Sequence, residues 1–262
     1  MRLYYEIALR SFRRATIYRT TLIAGMLTNA FFGALRCFVY QAVYQNGGSV
    51  AGFTLSDAIS YSWATQSLIS IGAGWITLDI ATTISSGAVV ADLARPWNFY
   101  GYWLSRSLGE RVFNLLVRGA LTYAIGVAFF GARVPAAAEA LAFAIAISLA
   151  LLISFAFSFI VQLSAFWLID ITGVVIFANA LLSVFSGFLL PLAFFPPLLA
   201  RVAAMLPFQA ITALPVEIFL GRISGAAVIG TLLLQLGWLA ALTIAGLLTM
   251  RAAVHKVVIQ GG

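Results

Sequence analysis

Few side chains in this chain could titrate, attack or ligate. It has one histidine (His255), one lysine (Lys256) and one cysteine (Cys37). A nucleotide-binding P-loop needs Gly-x-x-x-x-Gly-Lys-Ser/Thr. Lys256 sits between His255 and Val257, so that motif is missing. A His-Glu-x-x-His zinc site needs two histidines, and any Ser–His pair would rest on His255, beyond the last apolar stretch. A single cysteine excludes an intramolecular disulfide. Paired-carboxylate chemistry needs two acids on one site, but Asp57 and Asp79 bound opposite ends of one apolar stretch, about 33 Å apart at helical rise. The inventory predicts no catalytic residue, no metal site and no cofactor held by this chain.

One polar pattern remains. Arg106, Glu110, Asn114, Arg118 and Thr122 recur at every fourth position inside an apolar segment. On an α-helix this spacing drifts by about 40° per step, so neighbouring members share a face and the set winds around it. Arg118 lies deep enough to be costly in lipid and must face protein or water. Two readings fit: a structural pair, such as Glu110 with Arg118 through Asn114 or an acid on another helix, or a polar patch beside a transport path.

The elements that would position these residues follow from composition. Of 262 residues, 63% are hydrophobic and 9% charged, and mean hydropathy is +1.04. Soluble domains carry about 25% charged residues, so a soluble enzyme and a disordered chain are excluded. The composition predicts an all-α polytopic membrane protein. Charge-free gaps place six transmembrane helices at about 18–44, 55–80, 107–131, 138–166, 170–190 and 224–250. Six spans return both ends to one side. Arg2, Arg10, Arg13, Arg14, Arg19, Arg95, Arg106, Arg111, Arg251 and Lys256 then face Arg133, Arg201 and Arg222 across the membrane. The positive-inside bias puts both termini in the cytoplasm. The net charge of +7 is carried by residues flanking apolar stretches, which predicts contact with anionic lipid and not with nucleic acid. No cleaved signal peptide is expected, because the charged leading region is too long.

Three regions stand out from the spans. Residues 1–17 are amphipathic, with Arg2, Glu6, Arg10, Arg13 and Arg14 on one arc, predicting a helix in the cytoplasmic interface. The loop 81–105 is the longest cytoplasmic connection, and Pro96 predicts that a short helix ends at Arg95. That loop is either an interfacial aromatic belt or a docking element presenting Asp92 and Arg95. Between 190 and 222, Pro191, Pro196, Pro197, Pro207 and Pro215 break an otherwise apolar run. This predicts a re-entrant outer hairpin or a packed outer cap.

The chain resembles the permease subunits of six-span exporter-type ABC transporters, in particular a bacterial subfamily of roughly 260-residue permeases often found as non-identical pairs. The resemblance rests on Tyr18-Arg19, Gly52-Phe53-Thr54 with Tyr61, Gly87 followed by Leu93-x-Arg95-Pro96, Ser186-Gly187 with Pro191 and Phe195-Pro196, Leu206-Pro207-Phe208 with Pro215 and Gly221, and Gln260-Gly261-Gly262. It implies a single permease domain over 1–262 in the bacterial inner membrane, with an N-terminal elbow helix, a coupling helix near 85–97 and a re-entrant hairpin. It also implies a cytoplasmic ABC ATPase dimer that binds ATP and Mg, and a second permease, identical or related. Gly87, Asp92, Leu93, Arg95 and Pro96 would couple to the ATPase. Ser62, Thr65, Gln66 and Ser70 on span two and Asn179, Ser183 and Ser186 on span five would line a conduit or pack helices together, with Asn114 and Arg118 beside them. The implied function is export of an amphiphilic substrate. The competing readings are a secondary transporter and a membrane scaffold, both working without an ATPase. The first would place acids inside the bundle, whereas the acids here lie near span ends.

Overall fold

The computed structural model describes residues 2–17, 19–45, 47–69 and 76–260, with Arg19 and residues 255–260 by backbone alone. Among these residues the chain is helical, and the only strand-like pairing is an isolated bridge between Val50 and Phe53. Tyr18, Ser70 and the final Gly261-Gly262 lie outside the described residues.

Helix α1 (Arg2–Ala15) precedes α2 (Arg19–Val43), which turns back into α3 (Leu55–Ser67). Helices α4 (Asp79–Ser85) and α5 (Val89–Leu93) are short. Helix α6 (Phe99–Phe113) passes through a π turn (Asn114–Gly119) into α7 (Ala120–Phe130). Helix α8 (Ala137–Leu163) is followed by α9 (Thr172–Phe185). Short helices α10 (Pro197–Ala204) and α11 (Ala213–Phe219) then lead into α12 (Ala226–Gln260).

Four stretches are long and apolar enough to cross a membrane: Thr20–Val43, Phe99–Phe130, Ala137–Phe166 and Ala226–Val254. They coincide with the first, third, fourth and sixth spans expected from the sequence. The other two differ from expectation. In place of a span over 55–80, α3 stops at Ser67 and α4 begins at Asp79, with residues 70–75 between them undescribed. In place of 170–190, α9 has 14 residues, about 21 Å of helix. The bend Ser186–Phe188 that follows is held by other contacts: Ser186 Oγ accepts from the Phe188 amide, and the Ser186 carbonyl accepts from Ala213.

Contacts give the bundle two ends. At the proximal end, Phe99, Trp103, Phe155, Phe159, Leu163 and Met250 pack with Ile80, Ile84 and Val89. Here α1 lies along α6. The Tyr4 hydroxyl accepts from the Asn98 amide at 3.0 Å, and Phe12 meets Phe113 edge-on. The approach is close because position 109 is glycine: a Cβ there would overlap the backbone carbonyl of Ala8. Asp170 lies just before α9 at this end, accepting from the Thr172 amide and hydroxyl at 2.8 and 2.7 Å, which holds its carboxyl below the usual range.

The middle of the bundle is built around α3, which is buried from Ala58 to Gln66. Trp63 is fully buried between Gly33 of α2 and Gly126 of α7. Small residues let helix backbones approach where lipid supplies no hydrophobic drive. Helix α8 runs parallel to α12, where Gln235 Nε2 donates to the carbonyls of Ala146 and Ala210.

Candidate functional site

The proximal segment 85–97 is a short helix on a rigid mount. Gly87 has φ +76°, a conformation that disfavours other residues, and it turns α4 into α5. Val89 is 3% exposed and anchors α5 in the proximal core, whereas Val90 beside it is 56% exposed. Ser85, Ser86, Gly87, Ala88, Ala91, Ala94, Arg95 and Pro96 are exposed, and Leu93 is half-buried. Arg95 pairs with Asp92 at 3.5 Å and lies over the Trp97 ring, which stacks on Tyr102. Asn98 then caps α6 by accepting from the Gly101 amide at 2.8 Å. Helix α5 ends at Leu93, with Ala94 as its cap, close to the stop that Pro96 predicts. The docking reading expects both Asp92 and Arg95 to be presented. Instead the Asp92 side chain is only 16% exposed and is turned to Arg95, which is 52% exposed.

The polar stripe does not form the pair expected of it. Among the described residues neither Glu110 nor Arg118 is in an ion pair. Arg118 donates to the Gly25 carbonyl at 3.1 Å and to Asn29 Oδ1 at 3.0 Å, both on α2, and Asn114 Nδ2 donates to the Glu110 backbone carbonyl. The π turn changes which of these side chains share a face. Its i→i+5 bonding holds about one more residue per turn than an α-helix. The four-residue step from Asn114 to Arg118 therefore falls short of a full turn where an α-helix overshoots, which offsets part of the drift of the stripe. Arg106, Glu110, Asn114 and Arg118 all line one cavity of about 450 Å³ between α2, α6 and α8. Thr122 leaves this set and is fully buried, its hydroxyl without a hydrogen-bond partner.

Arg111 lines the same cavity, and its placement corrects the sequence reading of it as a headgroup-facing arginine. It is 8% exposed and donates to Ser107 Oγ at 2.9 Å and to Ser154 Oγ at 2.6 Å. Sequence reasoning also passed over Asn29 and Arg36. Asn29 is 2% exposed, accepts from Arg118 and donates to the Gln66 carbonyl. Arg36 donates to the Phe188 carbonyl at 3.0 Å and to Thr65 Oγ1 at 3.4 Å, and it lies over the Phe188 ring. A polar residue inside an apolar span was the signal available for both.

The remaining conduit candidates are scattered. Ser62 and Gln66 are 1% and 2% exposed inside the bundle, and Ser62 Oγ and Gln66 Oε1 lack partners. Thr65 bonds back to the Ser62 carbonyl. Asn179 and Ser183 are half-buried on α9, and Ser186 is fully buried at its end. Ser70 lies outside the described residues.

At the distal end the prolines punctuate short helices as their missing N–H dictates. Pro191 precedes a 3-10 turn, Pro196-Pro197 open α10, Pro207 opens another 3-10 turn and Pro215 sits in the first turn of α11. Two arginines bind this end together. Arg133 makes a forked contact with Glu139 at 2.6 and 2.8 Å and also donates to the Leu220 carbonyl. Arg222 pairs with Asp57 at 3.8 Å, donates to the Gly52 carbonyl and covers the Phe53 ring. Tyr61, on α3, donates to the Gly187 carbonyl at 2.7 Å. Among the described residues no three His, Cys, Asp or Glu side chains gather as metal ligands would.

The geometry is thus a membrane bundle with one exposed helix-bearing loop at its proximal end and a tied-down distal cap. Residues 31–261 match the family model for ABC-2 family transporter proteins. No curated protein and no solved structure matches the chain. The chain belongs to the ABC-2 transporter family.

Proposed function

We propose, with ABC-2 membership as the premise, that this chain is the permease subunit of an ATP-driven exporter. It moves an amphiphilic substrate with ATP and Mg handled by a separate cytoplasmic ATPase dimer. ABC-2 permeases work with ATPase subunits, and this sequence carries no P-loop of its own. The observation that carries the reading is the segment 85–97. Its outer surface is exposed while Val89, Ile80 and Ile84 root it in a core shared with α6, α8 and α12. A load on α5 would therefore reach three membrane-crossing helices through packed side chains. Interfaces and packed cores of this kind move between discrete arrangements, as an alternating-access cycle requires.

In this reading α3 and α9 complete six passes, both termini are cytoplasmic, and α1 is the elbow helix of a protein in the inner membrane. The loop around Gly87–Pro96 couples to the ATPase, a second permease copy or relative completes the conduit, and the proline-broken segment 190–222 is its re-entrant outer gate.

The test is purification in mild detergent from the native host, with identification of co-purifying chains and an assay of vanadate-sensitive ATP hydrolysis. The expected result is a P-loop ATPase in the complex, with coupled hydrolysis falling at least tenfold on Arg95→Glu while thermal stability is unchanged. Recovery of this chain alone, with no ATPase activity in several mild detergents, would overturn the reading in favour of a secondary transporter or a scaffold.

A further inference from the structure

The cavity beside the π turn has a charge pattern that the permease reading does not use. Its wall carries Arg106, Arg111 and Arg118 against Asp79 and Glu110, one positive charge in excess. Asp79 is taken by Arg106 at 3.7 Å. Arg111 and Arg118 are held by hydroxyls, a carbonyl and an amide oxygen, with no carboxylate within ion-pair distance among the described residues. Glu110 is exposed, whereas Arg118 Nε is buried without a hydrogen-bond partner. Guanidinium groups kept in low dielectric without a counter-charge favour an anion, and their planar forks match phosphate oxygens.

We propose that this cavity binds the phosphate of a membrane phosphodiester lipid drawn from the leaflet at the proximal end. A phosphodiester carries a single negative charge at neutral pH, equal to the excess on the cavity wall. Lipid is favoured over a soluble phosphate by the character of the α2 wall. Thr21, Gly25 and Thr28 face the cavity, while Ile23 and Leu27 on the same turns are 55% and 67% exposed. A headgroup between Arg111 and Arg118 would thus have an apolar rail beside it for its chains. The remaining cavity wall combines Trp103, Ile80 and Phe155 with Ser158 and Gln162, as suits the boundary between headgroup and chain. The inference concerns binding by this chain alone and does not depend on an ATPase partner.

The experiment is binding of a fluorescent phosphatidylglycerol to the purified full-length protein in a neutral detergent, with native mass spectrometry of retained lipid. Competitors are unlabelled phosphatidylglycerol, phosphatidylcholine, water-soluble glycerophosphoglycerol and inorganic phosphate. The expected result is saturable binding at one site, weakened at least tenfold by Arg118→Met and by Arg111→Met. Arg36→Met, which removes an intramembrane arginine outside the cavity, should leave it unchanged. Thr21→Trp, on the exposed wall of the cavity, should block binding without touching either arginine and serves if the arginine variants fail to fold. Equal competition by glycerophosphoglycerol and by lipid would overturn the lipid assignment. Unchanged binding in Arg118→Met and Thr21→Trp would overturn the site.

Discussion

Two pairs of arginines, one pair at each end of the bundle, are held in opposite ways. At the distal end Arg133 and Arg222 have carboxylate partners: Arg133 grips Glu139 and the Leu220 carbonyl, and Arg222 joins Asp57 to the 52–53 turn. At the proximal cavity Arg111 and Arg118 rest on neutral groups, and Glu110 makes no ion pair among the described residues. A charge with a fitted partner fixes the elements that carry it. A charge held by hydroxyls and carbonyls retains the capacity to take a further ligand, at a standing cost of desolvation. The distal end is thus built to stay together, and the proximal end keeps binding capacity in reserve.

Glycine substitutions give the largest effect by which this contrast can be broken. Gly221 has φ +68°, and a Cβ there would run into the Glu139 carboxylate and the Arg133 guanidinium. Gly221→Ala should cost about 2–3 kcal/mol from backbone strain and steric overlap together. At Gly25 a Cβ would fall 2.6 Å from Arg118 Cζ, but the obstacle is the end of a flexible side chain beside a cavity. Gly25→Ala should cost under about 1 kcal/mol, because that end can shift into open space. Thermal unfolding in detergent compares the two, and equal losses would show the cavity to be as rigid as the cap.

Removal of single charges sharpens the contrast at smaller scale. Glu139→Ala strips Arg133 of its carboxylate and leaves the Ala136 amide, which Glu139 also accepts from, without that partner. The expected loss is about 1–2 kcal/mol, allowing for the exposure of the pair. Arg118→Met should fall within about 1 kcal/mol of wild type in either direction, since relief of desolvation offsets two lost hydrogen bonds. A loss above that range would mean that Arg118 is a structural clamp. Smallest of all is the Asp57–Arg222 pair at 3.8 Å. A double-mutant cycle with Asp57→Asn and Arg222→Met should return a coupling of about 0.5–1 kcal/mol, fading in salt.

Much of this architecture is legible in the sequence because lipid imposes a long apolar run on any crossing helix. That constraint located α2, α6–α7, α8 and α12, and proline chemistry located the broken distal segment. The segment 85–97 was legible through Gly87 and Pro96, which act on the backbone directly. The π turn at 114–119 was not. Asn114, Val117 and Gly119 are weak helix formers, but none of them distinguishes a π turn from an α-turn, and the turn decides which side chains share the cavity. Arg111 misled for a related reason: near a span end an arginine reads as a headgroup anchor, and only its bond to the Ser154 hydroxyl on another helix reveals its burial. Asn29 carried a signal as a polar residue in an apolar run, but its partners are distant in sequence.

The π turn has a consequence for length variation in this segment. Membrane helices tolerate changes in length chiefly by tilting, so losing one residue from 114–119 would matter little to the span of Phe99–Phe130. Deleting the surplus residue together with the π turn would also leave α7 nearly in phase with α6, because the wide turn holds about one more residue than an α-turn. Rewinding the turn to α geometry with every residue kept would instead swing α7 by about 100° relative to α6. Gly126 would turn away from Trp63, and the side chains packed on α3 would be delivered to the hydrocarbon. The wide turn absorbs the surplus residue and keeps the phase, allowing one continuous helix to show a charged face to its lower neighbours and a small-residue face to its upper ones.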